Sequence, residues 1–397
     1  MGWTPRHTRL VATYTVVHGL AEFVTALTLF SLLPGWTLAA ERILTYNALA
    51  FGLPVVIAVA VCASRFVRVP EGRLGLAGAV LLAAGVLTAR FGWSGILLLG
   101  LGSALLHIAT GTATLKTPRP GSAVGIFEST GAVGLAAGGL VGASAWTGWA
   151  ATPWAWAGAL VLVGGGLAVL AWGTHRDDPG LGTWTTAAGM GADSGTPRGQ
   201  ARPVHPWEPW TLLRGAGWLP VAVLGGLAFV SVTRSVVGMG GPQPWKQGAA
   251  LVLGAAVAVA LGRAVGGLIA DRIGFVAPAL VGFAGATLAW IAAPASAVSG
   301  LIGAFCLALP MAPVILALMT TTGRPSWSFG LAQLFQVPGA LVAGLVLPPW
   351  GIAVALAVCA GLILWMRPLD PRTSAVPSSR DITTERRPHA ALPTDAH

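Results

Sequence analysis

Five ionisable side chains interrupt apolar segments that are otherwise long enough to cross a lipid bilayer. They are His18, Glu22, His107, Glu128 and Arg263. A charge at the centre of a bilayer costs at least about 2.5–3.5 kcal/mol, so ionisable residues in such segments are candidates for function. Histidines and carboxylates can carry protons, and an arginine can bind an anion.

The first two of these residues lie on one predicted helix. His18 and Glu22 are four residues apart, so they share a helical face. Glu22 lies about 18 Å along the helix from Leu10, where the apolar segment begins, which is close to the middle of a bilayer. We favour a proton-carrying pair that faces a central cavity. The alternative is a static hydrogen-bonded pair that holds this helix to a neighbour.

His107 and Glu128 lie at similar distances from a short turn near Lys116 and Pro120. The two side chains are therefore expected at similar depth, where they could meet across an antiparallel helix pair. A protonated imidazole nearby lowers the pKa of a carboxyl group, whereas burial raises it. Together the two effects can place this pKa near neutral pH. A structural hydrogen bond is an equally weighted alternative.

Arg263 lies eight residues before Asp271, about 12 Å deeper on roughly the same stripe of its helix. It could bind an anionic group, but we favour a structural role in which its long side chain extends to the membrane surface. Arg234 is expected to extend to the opposite surface in the same way. Gln333 and Gln336 present polar groups to a cavity from the eleventh predicted helix.

The composition excludes an ordinary soluble protein. The 397 residues are 55% hydrophobic and only 9% charged, whereas soluble domains carry about 25% charged residues. The net charge of +10 comes from loops and tails, so we expect no nucleic-acid partner. The three cysteines indicate neither a disulfide framework nor a metal site. Apolar segments predict twelve helices, near residues 10–33, 44–63, 73–89, 93–112, 122–147, 152–173, 216–239, 248–270, 275–295, 297–319, 327–348 and 351–366.

The predicted helices fall into two groups of six. Residues 1–173 form the first bundle, 174–210 a polar, proline-rich cytoplasmic linker, 211–366 the second bundle, and 367–397 a disordered cytoplasmic tail. Placing both termini in the cytoplasm puts most of the 23 Lys and Arg residues on that side, as the positive-inside rule requires.

A weak internal repeat supports the division into halves. Gly125-Ile126-Phe127-Glu128 aligns with Gly330-Leu331-Ala332-Gln333 at an offset of 205 residues. This spacing is close to half the chain. It is typical of parallel repeats related by an axis along the membrane normal.

A short turn between two apolar segments carries the pattern Gly267-xxx-Asp271-Arg272-x-Gly274. Gly267 allows close helix packing. Asp271 could cap a neighbouring helix or pair with a basic residue across a domain seam. Arg272 is expected on the cytoplasmic side. The pattern resembles the loop signature of the major facilitator superfamily, here between helices 8 and 9, although Phe275 stands where a basic residue is usual.

The resemblance implies an all-α integral membrane protein, with twelve transmembrane helices in two pseudo-symmetric six-helix bundles, of the bacterial type. It implies a secondary transporter that moves a small molecule by alternating access across the cytoplasmic (inner) membrane, with both termini cytoplasmic. We expect a monomer that is not an enzyme and needs no cofactor or metal. Its partners are a small-molecule substrate, protons and the lipid bilayer.

Proton coupling is assigned to Glu22 and Glu128, with His18 and His107 as partners. A largely apolar cavity with few fixed charges favours efflux of an amphipathic or drug-like compound. Two alternatives stay open: a membrane-embedded metal-binding enzyme that uses the buried histidines and carboxylates as ligands, and a sensor or scaffold that keeps the fold without transporting.

Overall fold

The computed structural model describes residues 3–32, 39–63, 71–143, 160, 163–164, 219–239, 247–341 and 348–370. The predicted linker at 174–210 lies outside the described residues, as do most of the sixth predicted helix and the tail from residue 371 onward.

Five long helices make up the described part of the first half. They are α1 (Pro5–Leu32), α2 (Ala39–Ala63), α3 (Glu71–Thr88), α4 (Trp93–Leu115) and α5 (Pro120–Ala143). A 3₁₀ turn, Ala89–Phe91, and Gly92 at φ +83° reverse the chain between α3 and α4. These two helices pack backbone to backbone, since a Cβ added at Gly102 would lie 2.6 Å from the Leu82 nitrogen.

The second half is also built from helices, and two of its predicted spans are each divided into two shorter helices. It comprises α6 (Leu219–Met239), α7 (Ala249–Ile273), α8 (Val276–Ala292), α9 (Ala297–Ala308), α10 (Met311–Thr322), α11 (Pro325–Leu334), α12 (Val337–Leu341) and α13 (Pro349–Trp365). The predicted helix at 297–319 is interrupted at Leu309 and Pro310, because proline cannot donate a helical hydrogen bond. The predicted helix at 327–348 is interrupted at Phe335 and Gln336, just before Pro338.

In the described part of the chain, eight helices are long and apolar enough to cross a membrane, and two shorter apolar helices accompany them. No strand occurs among the described residues. The protein is therefore an all-α multi-pass membrane protein, as the composition predicts. Most observed helix ends lie within about five residues of the predicted ones.

Helix α5 joins the two halves. On one side, a Cβ at Gly134 or Gly138 would collide with the carbonyl oxygens of Gly19 or Phe23 in α1. On the other side, a Cβ at Gly125 would lie 2.5 Å from the Arg263 carbonyl oxygen in α7. Small residues therefore let α5 pack against both neighbours at backbone distance.

Asp271 of the loop signature connects α7 to the first turn of α5. Asp271 accepts hydrogen bonds from the backbone N–H groups of Gly121 at 2.9 Å and Ser122 at 2.7 Å. It thereby caps α5 from the other half of the molecule, in agreement with the prediction that it caps a neighbouring helix. Arg272 is exposed.

A second carboxylate caps the helix that follows the signature. Gly274 adopts φ +92°, a conformation that favours glycine. The fully buried Asp370 accepts a hydrogen bond from the Val276 N–H at 3.2 Å. Asp370 follows a 3₁₀ turn, Arg367–Leu369, so residues 367–370 are ordered although they were predicted to belong to the disordered tail.

Candidate functional site

Three buried ionisable side chains of the first half meet between α1 and α4. His107 Nε2 lies 3.0 Å from His18 Nε2 and 3.3 Å from Glu22 Oε1. All three side chains are buried. The structure thus brings together His18 and Glu22, the predicted pair, and adds His107 as the group that contacts both.

The surrounding acceptors determine where the protons of this cluster lie. His18 Nδ1 is 2.9 Å from the Phe127 carbonyl oxygen, and His107 Nδ1 is 2.8 Å from the Ser103 carbonyl oxygen. A carbonyl oxygen can only accept, so each Nδ1 must carry the proton that it donates. Two neutral rings would then point Nε2 lone pairs at each other across 3.0 Å. A proton shared between the two Nε2 atoms turns this repulsion into a hydrogen bond.

Two further contacts support a positive charge on the histidine pair. The Glu22 carboxylate beside His107 balances that charge. The His18 ring stacks on Phe127, with centroids 4.3 Å apart and planes inclined by 17°, an arrangement that favours a cation over an aromatic face. The geometry therefore allows one proton to be shared among His18, His107 and Glu22.

A second polar network crosses between the halves. Arg263 Nη1 donates to the Glu128 carbonyl oxygen at 2.7 Å and lies 3.4 Å from Glu128 Oε2. Gln333 donates to Glu128 Oε1 at 3.1 Å, and Gln336 donates to Gln333 Oε1 at 3.2 Å. Glu128 and Gln333 are equivalent positions of the internal repeat, so the structure joins the repeat partners directly.

The structure answers one open question and corrects two expectations from the sequence. The sequence leaves open whether His107 contacts Glu128; the structure instead pairs His107 with His18 and Glu22, and Glu128 with Arg263. The guanidinium of Arg263 binds this carboxylate instead of extending to the membrane surface. Arg234 lines a cavity between the two halves, a position that the expectation of a purely surface location did not include. The expectations rested on depth along a helix, which does not fix the direction in which a side chain points.

A cavity of about 640 Å³ lies between the two halves. We call the side at which α1 begins the terminal side, and the opposite one the far side. The cavity is lined by the far portions of α1, α2, α5, α6 and α7. Its described walls are mainly apolar, and its polar side chains are those of Tyr46, Asn47, Arg234, Ser235, Arg263 and Gln336.

Each polar network reaches this cavity. Arg263 and Gln336, members of the second network, line it directly. Tyr46 also lines it and donates a hydrogen bond to Ser103 Oγ at 3.4 Å, and Ser103 Oγ lies 3.2 Å from His107 Nδ1. A molecule in the cavity would therefore lie one or two residues from the proton-holding cluster.

On the terminal side the halves are packed together. The α5–α7 crossing and Asp271 seal one part. The buried ring of Phe329 in α11 seals another, since it occupies the space beside Gly111 of α4. The described residues thus form a cavity on the far side above a closed seam on the terminal side.

The histidine cluster also bears on whether the site could hold a metal ion. The ligand atoms of His18, Glu22 and His107 lie within 4.8 Å of one another. Tetrahedral zinc, with Zn–N bonds of about 2.0–2.1 Å, would separate two nitrogen ligands by about 3.3 Å. The observed Nε2–Nε2 separation of 3.0 Å is that of a hydrogen bond. The separation of His107 Nε2 from Glu22 Oε1, 3.3 Å, matches the zinc value, so the three side chains fit a shared proton and could also hold a metal ion.

Comparison with solved structures identifies the fold. The chain is similar to the major facilitator superfamily transporter FucP in the outward conformation (TM-score 0.56, 13% identity, 92% of this chain and 99% of that chain). It is similar to another structure of FucP, described as the E. coli fucose:proton symporter (0.55, 13%, 91% and 98%). It is also similar to the human organic anion transporter MFSD10 (0.55, 13%, 92% and 100%). No protein-family model matches this sequence, and neither does any curated protein sequence.

The chain therefore has the major facilitator superfamily fold, which the loop signature predicted.

Proposed function

We propose that this protein is a proton-coupled secondary transporter that moves a small molecule by alternating access. One observation carries the proposal: a buried cluster suited to hold a single proton lies beside a cavity between two halves that are closed on one side. A fixed scaffold would not need a proton-binding group at this position.

The contacts suggest how proton binding reaches the seam between the halves. His18 is anchored to the Phe127 carbonyl oxygen in α5, and the next residue, Glu128, binds Arg263 and Gln333 of the other half. When the shared proton leaves, the two Nε2 atoms repel each other and the histidine pair must separate. We propose that this displacement shifts α5 at Phe127 and weakens the Glu128 contacts across the seam.

Orientation and direction complete the proposal. The terminal side is assigned to the cytoplasm of a bacterial inner membrane, because most basic residues lie on that side in the predicted topology. The cavity then faces outward in this structure. Its mainly apolar walls suit an amphipathic or drug-like cargo, and we propose export in exchange for protons by a monomer.

The test uses the full-length protein in proteoliposomes. A thermal-shift screen at two pH values selects a cargo, and its radiolabelled form reports uptake. Exchange against protons predicts accumulation in vesicles that are acidic inside and placed in alkaline medium, whichever way the protein is inserted. Accumulation only with the opposite gradient would indicate cotransport and overturn the export proposal.

The coupling residues are tested by replacing them with neutral isosteres. We expect Glu22→Gln and Glu128→Gln each to abolish accumulation driven by the pH gradient while cargo counterflow persists. Glu41→Gln is the matched control, because Glu41 is exposed at the start of α2 and lies outside the cluster. If Glu22→Gln and Glu128→Gln both keep gradient-driven accumulation, the assignment of proton coupling to these carboxylates is wrong.

A further inference from the structure

Arg234 carries a charge in a membrane helix without an ion-pair partner among the described residues. It lies in the far portion of α6, is half-buried and lines the cavity. Its natural partner would be Glu128, but this carboxylate is already bound by Arg263 and Gln333. An uncompensated charge in a partly buried position of a membrane helix is unfavourable, so a partner from outside the chain would be stabilising.

The cavity offers a second cationic group beside the same space. Arg263 lines it together with Arg234. Only Nη1 of Arg263 binds Glu128, and its Nε has no hydrogen-bond partner among the described residues. None of the described lining residues is acidic. The described part of the cavity therefore has a positive polar end and no fixed negative charge of its own.

The remaining walls define the rest of the ligand. Apolar side chains from both halves line the cavity, among them Leu29 and Phe30 of α1, Leu135 of α5 and Val259 of α7. A volume of about 640 Å³ is within the range of sites that bury a drug-sized molecule.

We propose that the cavity binds an organic anion, whose carboxylate or sulfonate pairs with Arg234 and Arg263 and whose apolar body fills the space between α1, α5 and α7. A guanidinium group binds such oxyanions through two parallel hydrogen bonds, which a lysine cannot reproduce. This inference rests on the proposed function, since it names the class of cargo.

The test is equilibrium binding to the full-length protein in nanodiscs, followed by quenching of tryptophan fluorescence. Three probes share one aromatic body and differ in charge: naphthalene-2-sulfonate, 2-naphthol and 2-naphthylmethylammonium. The sulfonate stays ionised at every pH used. We expect it to bind at least about tenfold more tightly than the neutral probe, because a hydrogen bond to a charged group contributes about 1.5–3 kcal/mol. The cation is expected to bind more weakly than the neutral probe.

Variants of Arg234 locate the binding site. We expect Arg234→Gln to weaken sulfonate binding about tenfold or more and to leave 2-naphthol binding unchanged. Arg234→Lys should recover only part of the loss. Arg73→Gln is the matched control, because Arg73 is exposed on α3 and does not line the cavity. Elution volume and melting temperature verify that each variant is folded.

Several results would overturn the anion site. They are equal affinity for the sulfonate and the naphthol, no binding of any probe, or sulfonate binding that survives Arg234→Gln. Each can be told apart from failure of the transport proposal, because the binding assay requires no flux. Anion binding without pH-driven flux would refute transport and keep the site, whereas pH-driven flux of cations alone would refute the site and keep transport.

Discussion

Replacing Asp271 by alanine should open the seam on the terminal side. Its carboxylate accepts hydrogen bonds from Gly121 and Ser122 at 2.9 and 2.7 Å, in the first turn of α5. In the proposed alternating-access cycle, these bonds exist only while the two halves are closed on this side. The substitution therefore removes an interaction that one conformation has and the other lacks, and such a difference shifts the equilibrium between them.

The size of the shift follows from the two interactions that are lost. Removing a side chain that caps a helix costs about 0.5–2 kcal/mol. Removing a negative charge from a helix N-terminus costs about 0.3–1 kcal/mol more. A combined loss of about 1–3 kcal/mol corresponds to a shift of about 5- to 150-fold toward the conformation that is open on the terminal side.

Distances between two spin labels measure this population directly. Thr8 near the start of α1 and Leu369 after α13 are exposed and belong to different halves. Labelled cysteines at these positions, in a background without the native cysteines, should show a longer distance when the seam opens. We expect the long-distance population to rise in Asp271→Ala and to rise less in Asp271→Asn, whose amide oxygen can still accept one N–H.

Arg272→Ala is the control for this experiment. Arg272 is the next residue along α7, is exposed, and has no hydrogen bond or ion pair with the described residues. Its removal should leave the distance distribution unchanged. An unchanged distribution in Asp271→Ala, or an equal change in Arg272→Ala, would refute the reasoning that the cap holds the seam.

Three further predictions concern the packing and charges of the helices. Gly267→Val should lower the melting temperature and open the same seam, because a side chain there meets the Gly121 carbonyl oxygen. Gly361→Ala should be tolerated, since no atom of the other described residues lies within 4 Å of the added Cβ, apart from its own helix backbone and chain neighbours. Glu128→Gln and Arg263→Gln should each lower the free energy of unfolding. The double variant should lose less unfolding free energy than the two single variants together, by a coupling energy of about 0.5–3 kcal/mol measured in chemical unfolding. Additive losses would contradict the ion pair. Asp370→Ala should cost about 0.5–2 kcal/mol of unfolding free energy through loss of the α8 cap, and an unchanged melting temperature would contradict that role.

The helices could be predicted from the sequence because lipid imposes a simple rule. Each span must be apolar and about twenty residues long, so composition alone locates it. The break at Leu309 and Pro310 was missed although Pro310 signalled it. The apolar segment is long enough for one helix, and the missing N–H of Pro310 divides it into two.

Parts of the site could also be predicted. For Asp271 the sequence predicts either a helix cap or a pair with a basic residue, and the structure shows the cap. The partner of His107 was not predictable from distance along the chain. Ser103, which accepts its Nδ1 proton, was also missed, although it precedes His107 by four residues and therefore shares its helical face.

The contacts of α5 indicate which helix surfaces would move in the proposed transport cycle and which would not. Against α1, a Cβ at Gly131, Gly134 or Gly138 would collide with the His18 ring or with backbone atoms, so these two helices cannot slide past each other without separating. Against α7, the crossing at Gly125 is equally close, and its polar contacts depend on two side chains, Asp271 and Glu128, which alternating access would require to release. We expect α1 and α5 to move as one body and the α5–α7 seam to part. His18 and Glu22 then move together with α5. Their effect on the seam depends on two adjacent residues of α5: Phe127, whose carbonyl oxygen contacts His18, and Glu128, which binds Arg263 across the seam.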